Sequence, residues 1–305
     1  MPNIWTHIMF SEEIMDTLND SIHFQEAQRY INLGAQGPDP FFYHNFWPWK
    51  NDERVNQVGE FLHKEKCGPF LMDLIQSGES MSTQAKAYIL GFVSHHILDR
   101  NTHPYIHYRA GYEGNKHQKL EVIIDTLMMK EYRNLDTWKV PVYKEIDVGA
   151  NLDYDIAKVL ASLIQKHCGD ELQTLPPHFI QAAYRDMKRA LRVLFDPFSW
   201  KNRLLGSLVS SFSHQPIKVQ KDYLNLNHTT WYHPATNEPH DESFLDLYNQ
   251  ARKEGMETLY AIIQYWQVPS ISNKELVETM IGNISYDTGK PLRQKLENRY
   301  CEPIV

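Results

Sequence analysis

The segment that follows Ser82 carries the strongest helical signal in the chain, and it constrains the fold more than any other feature. Its apolar residues recur at the 3.6-residue spacing of an α-helix, and Ser82 suits the N-cap position. Similar periodicity predicts helices from about Asn115 to Tyr132, from Pro176 to Leu194 with prolines in the first turn, and from Glu242 to Trp266. Further helices are predicted near residues 4–17, 22–32, 52–66, 154–167, 199–212 and 273–282.

Alternating strand patterns are nearly absent. The one candidate, Trp138–Tyr143, is short and contains Pro141, which cannot donate to a sheet ladder. Two segments rich in Gly, Pro or Asn, Leu33–Trp49 and His214–Asp241, are predicted to be loops. The sequence therefore predicts an all-α protein.

Composition and charge exclude several classes of protein. With 42% apolar and 23% charged residues, the 305-residue chain is neither disordered nor collagen-like nor a coiled coil. A net charge of −7 argues against a stable complex with nucleic acid. No apolar run approaches the length of a membrane span, and the N-terminal segment lacks the features of a secretory signal, so a cytoplasmic location is expected. The oligomeric state is not indicated.

Histidine is unusually frequent, with 15 residues, nine of them among the first 117. Two predicted helices place a histidine four residues before a carboxylate, in the pairs His95–Asp99 and His117–Glu121. This spacing puts both side chains on one helix face, where they can bind one cation. The spacing alone is weak evidence, because chance placement gives about two such pairs and the sequence has three.

The residues around these pairs strengthen the signal. His103 lies two helical turns after His95, and His63 lies on another predicted helix. Asp39 belongs to a rigid Gly-Pro-Asp-Pro loop, and His7 to the first helix. Five histidines and three carboxylates form a nitrogen and oxygen donor set that suits zinc, manganese or iron better than calcium.

The order of these eight residues resembles the ligand pattern of the zinc-dependent phospholipase C family and of the related fungal zinc nucleases that cut single strands. The resemblance extends over about residues 1–135 and implies a multi-helix bundle. Residues 1–135 would form its metal-binding helical core, with residues 136–305 a helical remainder packed on that core as one domain. The resemblance also implies two or three Zn²⁺ ions per chain, with Mn²⁺ or Fe²⁺ as alternatives.

The resemblance implies three ligand sets, of which two share Asp99. The sets are Asp39, His63, His95 and Asp99 for one ion, His103, His117 and Glu121 for a second, and His7 and Asp99 for a third. In the family, the amine and carbonyl of the first residue complete the third set. That residue is a tryptophan in the family, whereas this chain begins Met-Pro, so Pro2 becomes the candidate ligand only if Met1 is removed.

The activity implied by the resemblance is hydrolysis of a phosphate ester by metal-activated water, with Asp39 as both ligand and proton acceptor. The substrate is expected to be a phospholipid or a soluble phosphodiester or phosphomonoester, and a nuclease with the same cluster is an alternative. Three aromatic residues of the neighbouring loop, Phe42, Tyr43 and Trp47, are candidates for the substrate mouth.

Other classes remain open at this stage. A non-catalytic protein that keeps the metal cluster for stability or partner binding fits the same ligands. Glu60-x-x-His63 is half of a di-iron motif, but its second half is missing. The dipeptide His240–Asp241 resembles that of metal phosphohydrolases but lies in a predicted loop.

For several residues near the cluster, the sequence suggests a role without deciding it. His96 and Asp125 are expected either to orient ligands or to face solvent. His107 is expected to be structural, and His233 and His240 are candidates to approach the site from the second half of the chain.

Overall fold

A helix of 28 residues, Thr83–Ala110, runs through the centre of the molecule in the computed structural model. It begins as predicted, because the Ser82 hydroxyl accepts a hydrogen bond from the Ala85 N–H at 3.2 Å. The structure describes residues 3–18, 25–47, 49–50, 52–169, 172, 174–219 and 221–305.

The described residues confirm the all-α prediction. The α-helices are α1 Ile4–Leu18, α2 Gln28–Gly34, α3 Arg54–Lys64, α4 Cys67–Ser77, α5 Thr83–Ala110, α6 Lys116–Arg133, α7 Tyr154–Cys168, α8 Phe179–Leu194, α9 Trp200–Leu205, α10 Ser207–Ser210, α11 Phe244–Gln267 and α12 Ile271–Ile281. In this part of the chain, the only sheet consists of the two-residue strands β1 Trp231–Tyr232 and β2 Pro239–His240, which pair antiparallel. None of the described helices is both long and apolar enough to cross a bilayer.

Helix α5 packs against α1, α2, α6 and α11. Its contact with α2 is especially close, because a Cβ atom at Gly91 would lie 2.3 Å from the Ile31 carbonyl oxygen. Only glycine permits this approach, which brings the C-terminal end of α2 beside the turn of α5 that carries His95.

The apolar core formed by the described residues contains side chains from both halves of the sequence. For example, the Tyr105 ring of α5 meets the Trp231 ring of β1 edge to face, with centroids 5.5 Å apart. The proposed division of the chain near residue 135 stays a prediction.

Some predicted helix boundaries are wrong. Helix α8 begins at Phe179 rather than at Pro176, because His178 before it has a left-handed backbone with φ 58°. The helix predicted over residues 199–212 is interrupted at Gly206, with φ 51°. The segment Trp138–Tyr143 forms parts of two 3₁₀ turns, not a strand, and residues 22–24 of a predicted helix lie outside the described ranges.

Candidate metal centre

One face of α5 supplies the central residues of the site. His95, Asp99, His103 and His107 recur at every fourth position and therefore lie along one face. The first three are at most 1% exposed. Burial of imidazole and carboxylate groups has an unfavourable free energy unless they are paired or bind a cation. The polar atoms on this helix face therefore need hydrogen-bond partners or a bound cation.

Asp99 lies at the centre of the cluster. Its Oδ1 atom is 3.3 Å from His7 Nε2 on α1 and 3.4 Å from His103 Nε2. Its Oδ2 atom is 3.0 Å from His95 Nε2 and 3.9 Å from His63 Nε2 on α3. The two oxygens thus face different pairs of histidines, as expected of a carboxylate that bridges two ions.

A second carboxylate approaches from the loop before α3. Asp39 begins a short 3₁₀ helix, Asp39–Tyr43, and its Oδ1 atom lies 3.5 Å from His63 Nε2 and 3.7 Å from His95 Nε2. The Asn56 side chain of α3 donates hydrogen bonds to the Phe41 and Phe42 carbonyls and so ties this loop to the helix that carries His63.

The third group lies between α5 and α6. His117 Nε2 is 2.6 Å from Glu121 Oε1, and His103 offers a nitrogen within 4.8 Å of ligand atoms of both. In the described structure, all eight predicted side-chain ligands therefore lie in three neighbouring groups. The groups are His7, His95 and Asp99; Asp39, His63 and His95; and His103, His117 and Glu121. Pro2 lies outside the described residues.

The donor atoms fit metal ions. Within the described structure, His7 Nε2, His95 Nε2, Asp39 Oδ1 and both Asp99 oxygens are buried, and none of them forms a hydrogen bond of good geometry, although His95 Nε2 and Asp99 Oδ2 lie 3.0 Å apart. Two ligands of a tetrahedral zinc ion at bond lengths near 2.0–2.1 Å stand about 3.3 Å apart. The N···O separations around Asp99 and Asp39 bracket this value, so the cluster has the spacing of ligands around shared cations.

Hydrogen bonds on the outer side of two histidines set their tautomer. His95 Nδ1 lies 2.9 Å from the Ala35 carbonyl oxygen, and His63 Nδ1 lies 2.7 Å from the Gly59 carbonyl oxygen. Since a carbonyl only accepts, each Nδ1 carries the proton and each Nε2 presents its lone pair to the cluster. The His95 ring packs on Gly37, where a Cβ atom would lie 2.4 Å from its Cδ2 atom.

Electrostatics couple the buried groups. Burial raises the pKa of Asp99, but the surrounding His103, His95 and His7 outweigh it and hold that pKa well below its usual range. Burial lowers the pKa of His95, yet Asp99 and Asp39 reverse the effect and raise it overall. Asp99 is thus an anion ready to bind a cation, and because the pKa of His95 is raised, a metal competes with protons for the lone pair of His95 Nε2.

Asp125 of α6 holds α1 in place. Its carboxylate is fully buried and accepts hydrogen bonds from the Trp5 and Thr6 backbone N–H groups at 3.0 and 2.9 Å. This carboxylate at the start of α1 complements the helix dipole and sets the position from which His7 reaches Asp99. Asp125 is therefore buried rather than facing solvent, and it is placed where it can orient His7.

A cavity of about 330 Å³ opens over the third group. Its lining includes Phe42, His63, His103, His117, Glu121 and Asp287. Of the three aromatic residues predicted at the substrate mouth, Phe42 lines this cavity. Tyr43 lines a separate small depression with Trp5, and Trp47 stacks on Trp49.

Sequence reasoning missed the contribution of the second half of the chain. The turn after α12 brings Tyr286 against the His63 and His96 rings, and Asp287 to 3.5 Å from His103 Nδ1. His96 is buried beside this turn, with Nε2 3.0 Å from the Ile284 carbonyl oxygen. A single aspartate 184 positions after His103 has no local pattern that would reveal it.

The two histidines expected to approach from the second half lie outside the metal-capable groups of the described structure. His233 Nε2 donates to the Thr288 carbonyl at 3.0 Å and so supports the turn that carries Asp287. His240 Nδ1 lies 3.1 Å from Glu242 Oε2.

Comparison with known proteins agrees with the geometry. The family model described as zinc dependent phospholipase C matches residues 6–174, more than half of the chain, and includes the eight predicted ligands. No curated protein and no solved structure matches the chain. With its helical fold and its histidine and carboxylate groups, the chain belongs to the zinc-dependent phospholipase C family.

Proposed function

We propose that this protein is a phospholipase C-like hydrolase of phosphate esters that uses two or three Zn²⁺ ions. The observation that carries the proposal is the group of buried, unpartnered donor atoms around Asp99, next to a cavity large enough for a phosphate ester headgroup. Mn²⁺ and Fe²⁺ suit the same donors.

We assign the ligand roles as the family resemblance implies them, and the short distances within the cluster support this assignment. Asp39, His63, His95 and Asp99 would hold one ion; His103, His117 and Glu121 a second; and His7 with Asp99 a third. Bound dications would neutralise the anionic phosphate oxygens and acidify a water molecule.

Asp39 is the proposed proton acceptor. Its Oδ1 atom is buried and lacks a hydrogen-bond partner among the described residues, while His63 and His95 hold it from two sides. A carboxylate in this position can take a proton from an attacking water that lies within hydrogen-bond reach. No serine or cysteine nucleophile is required.

The proposed substrate class is the phosphodiester of a phospholipid. The Phe42 ring borders the cavity beside His63, with ring centroids 5.5 Å apart, and the exposed Lys64 adds a positive charge at the rim. Because the exposed Glu60 lines the same cavity, the aromatic wall rather than the charge of the rim is the feature that suits an amphipathic substrate. Soluble phosphodiesters and phosphomonoesters are the alternative substrates.

Two assays test this proposal. Hydrolysis of bis-p-nitrophenyl phosphate should disappear with chelator and return with zinc, and phosphatidylcholine vesicles should yield diacylglycerol. Asp39→Asn should lose turnover, whereas Asp73→Asn, which changes a half-buried aspartate that is bonded to His167 and belongs to none of the metal-capable groups, should keep it. Turnover that survives chelation would refute metal-dependent hydrolysis. Zinc binding without turnover on any phosphate ester would favour the non-catalytic alternative.

A further inference from the structure

A fourth group of possible metal ligands lies beside the three already described. His103 and His107 of α5 meet Asp287 from the turn after α12, and one ligand atom of each lies within 4.8 Å of the others. Asp287 lies outside residues 6–174, the region shared with the family. All three side chains line the 330 Å³ cavity, so an ion and its water can reach them.

The spacing of these groups differs from that of hydrogen bonds. Asp287 Oδ1 lies 3.5 Å from His103 Nδ1 and 3.6 Å from His107 Nε2. These distances are too long for strong hydrogen bonds but close to the separation of two ligands on one zinc ion, about 3.3 Å. In the described part of the chain, both ring nitrogens of His103 and of His107 are buried without a hydrogen-bond partner.

Three hydrogen bonds, to backbone and to side-chain groups, hold the turn that carries Asp287. The Tyr286 N–H donates to the His63 carbonyl at 3.1 Å, and the Asp287 N–H donates to Ser285 Oγ at 3.2 Å. His233 adds its hydrogen bond to the Thr288 carbonyl. The carboxylate is therefore positioned toward the two histidines without needing an ion to order the turn.

We propose that His103, His107 and Asp287 bind an additional divalent cation next to the second ligand set. Two imidazole nitrogens and one carboxylate oxygen form a donor set typical of zinc, with water as the fourth ligand. His103 belongs to both groups, and its two nitrogens face different carboxylates: Nε2 lies 3.4 Å from Asp99 Oδ1, and Nδ1 lies 3.5 Å from Asp287 Oδ1. A neutral imidazole has one lone pair, so when both positions are filled His103 bridges them as an imidazolate and its remaining proton is released.

Equilibrium dialysis of the full chain against buffered excess Zn²⁺ tests the proposal. The protein stays in contact with free zinc during the measurement, so weakly bound ions are counted as well. Asp287→Asn and His107→Gln should each bind one ion fewer per chain than the wild type. Asp73→Asn is the matched control, because Asp73 also adjoins a histidine and has a similar side-chain exposure, 23% against 18% for Asp287. Its zinc count should equal that of the wild type.

The outcomes separate this site from the proposed hydrolysis, since the count is made without substrate. Equal zinc counts in the wild type and in both variants would overturn the additional position and leave Asp287 as a group that only orients His103. Circular dichroism confirms that each variant is folded, and agreement between two variants on different elements guards against an indirect effect. Absence of turnover with the count intact would refute the hydrolase alone.

Discussion

Replacing Asp99 with asparagine is the most informative single change. An asparagine offers one neutral carbonyl oxygen, and its amide nitrogen cannot bind a cation. The two oxygens of Asp99 face different histidine pairs, so if Asp99 bridges two ions as proposed, the change removes a charged ligand from both positions at once. Glu121→Gln alters one position and serves as the comparison.

The expected magnitude follows from linkage between zinc binding and folding. Zinc at about 100 times its Kd stabilises the folded chain by about 2.7 kcal/mol per ion. Mutation of a group that only supports a ligand weakens metal binding by up to about 100-fold, so at least this loss is expected when a ligand itself is changed. At the same zinc concentration, a site weakened about 100-fold stabilises the folded chain by only about 0.4 kcal/mol. The unfolding entropy of a 305-residue chain is about 0.6 kcal/mol/K, so each weakened site reduces the zinc-induced rise in Tm by about 4 °C.

The assay is differential scanning calorimetry of each variant with chelator and with zinc. Comparing the two conditions within one variant cancels any effect of the substitution on the metal-free fold. Asp99→Asn should lose about 7 °C of the zinc-induced shift and Glu121→Gln about half as much. Equal losses in the two variants would refute the claim that Asp99 bridges two ions.

Three further changes test how the site is supported. Gly37→Ala should destabilise the chain by about 1–3 kcal/mol and weaken zinc binding, because φ is +50° and the new Cβ atom would collide with the His95 ring; urea unfolding and zinc titration measure both. Asp125→Ala should cost about 1–3 kcal/mol in urea unfolding and displace His7, since two buried N–H groups lose their acceptor; unchanged zinc content would contradict the link to His7. Burial lowers the pKa of His233 to about 4, whereas an unfolded histidine titrates near 6.5, so the unfolded chain takes up the proton first. His233 alone should therefore contribute a loss of about 3 kcal/mol as the pH drops from about 6.5 to 4, and His233→Gln should reduce the total slope by this contribution.

Local patterns predicted much of the framework. The periodicity after Ser82 and the capping serine located α5, and i, i+4 spacing placed His95 with Asp99 on one face. These features depend on residues within one or two helical turns, where geometry follows from the sequence itself. The helix start predicted at Pro176 is wrong, because His178 has a left-handed backbone and α8 begins only after it, at Phe179.

Contacts between distant segments could not be read in the same way. Asp287 reaches His103 only because the turn after α12 is tied to the His63 backbone, and no periodic signal marks that turn. Asp125 lies one helical turn beyond Glu121, and its contact with the start of α1 spans 120 positions. Such pairings depend on tertiary packing, which a single sequence does not display.

The buried histidine and carboxylate groups are expected to form a zinc centre. The most direct test of this expectation is the metal content per chain, measured by plasma mass spectrometry on tag-free protein purified without added metal or chelator. The account predicts at least two zinc ions per chain, with a clear loss in Asp99→Asn. A chain that binds no metal, even after reconstitution with zinc, would contradict it.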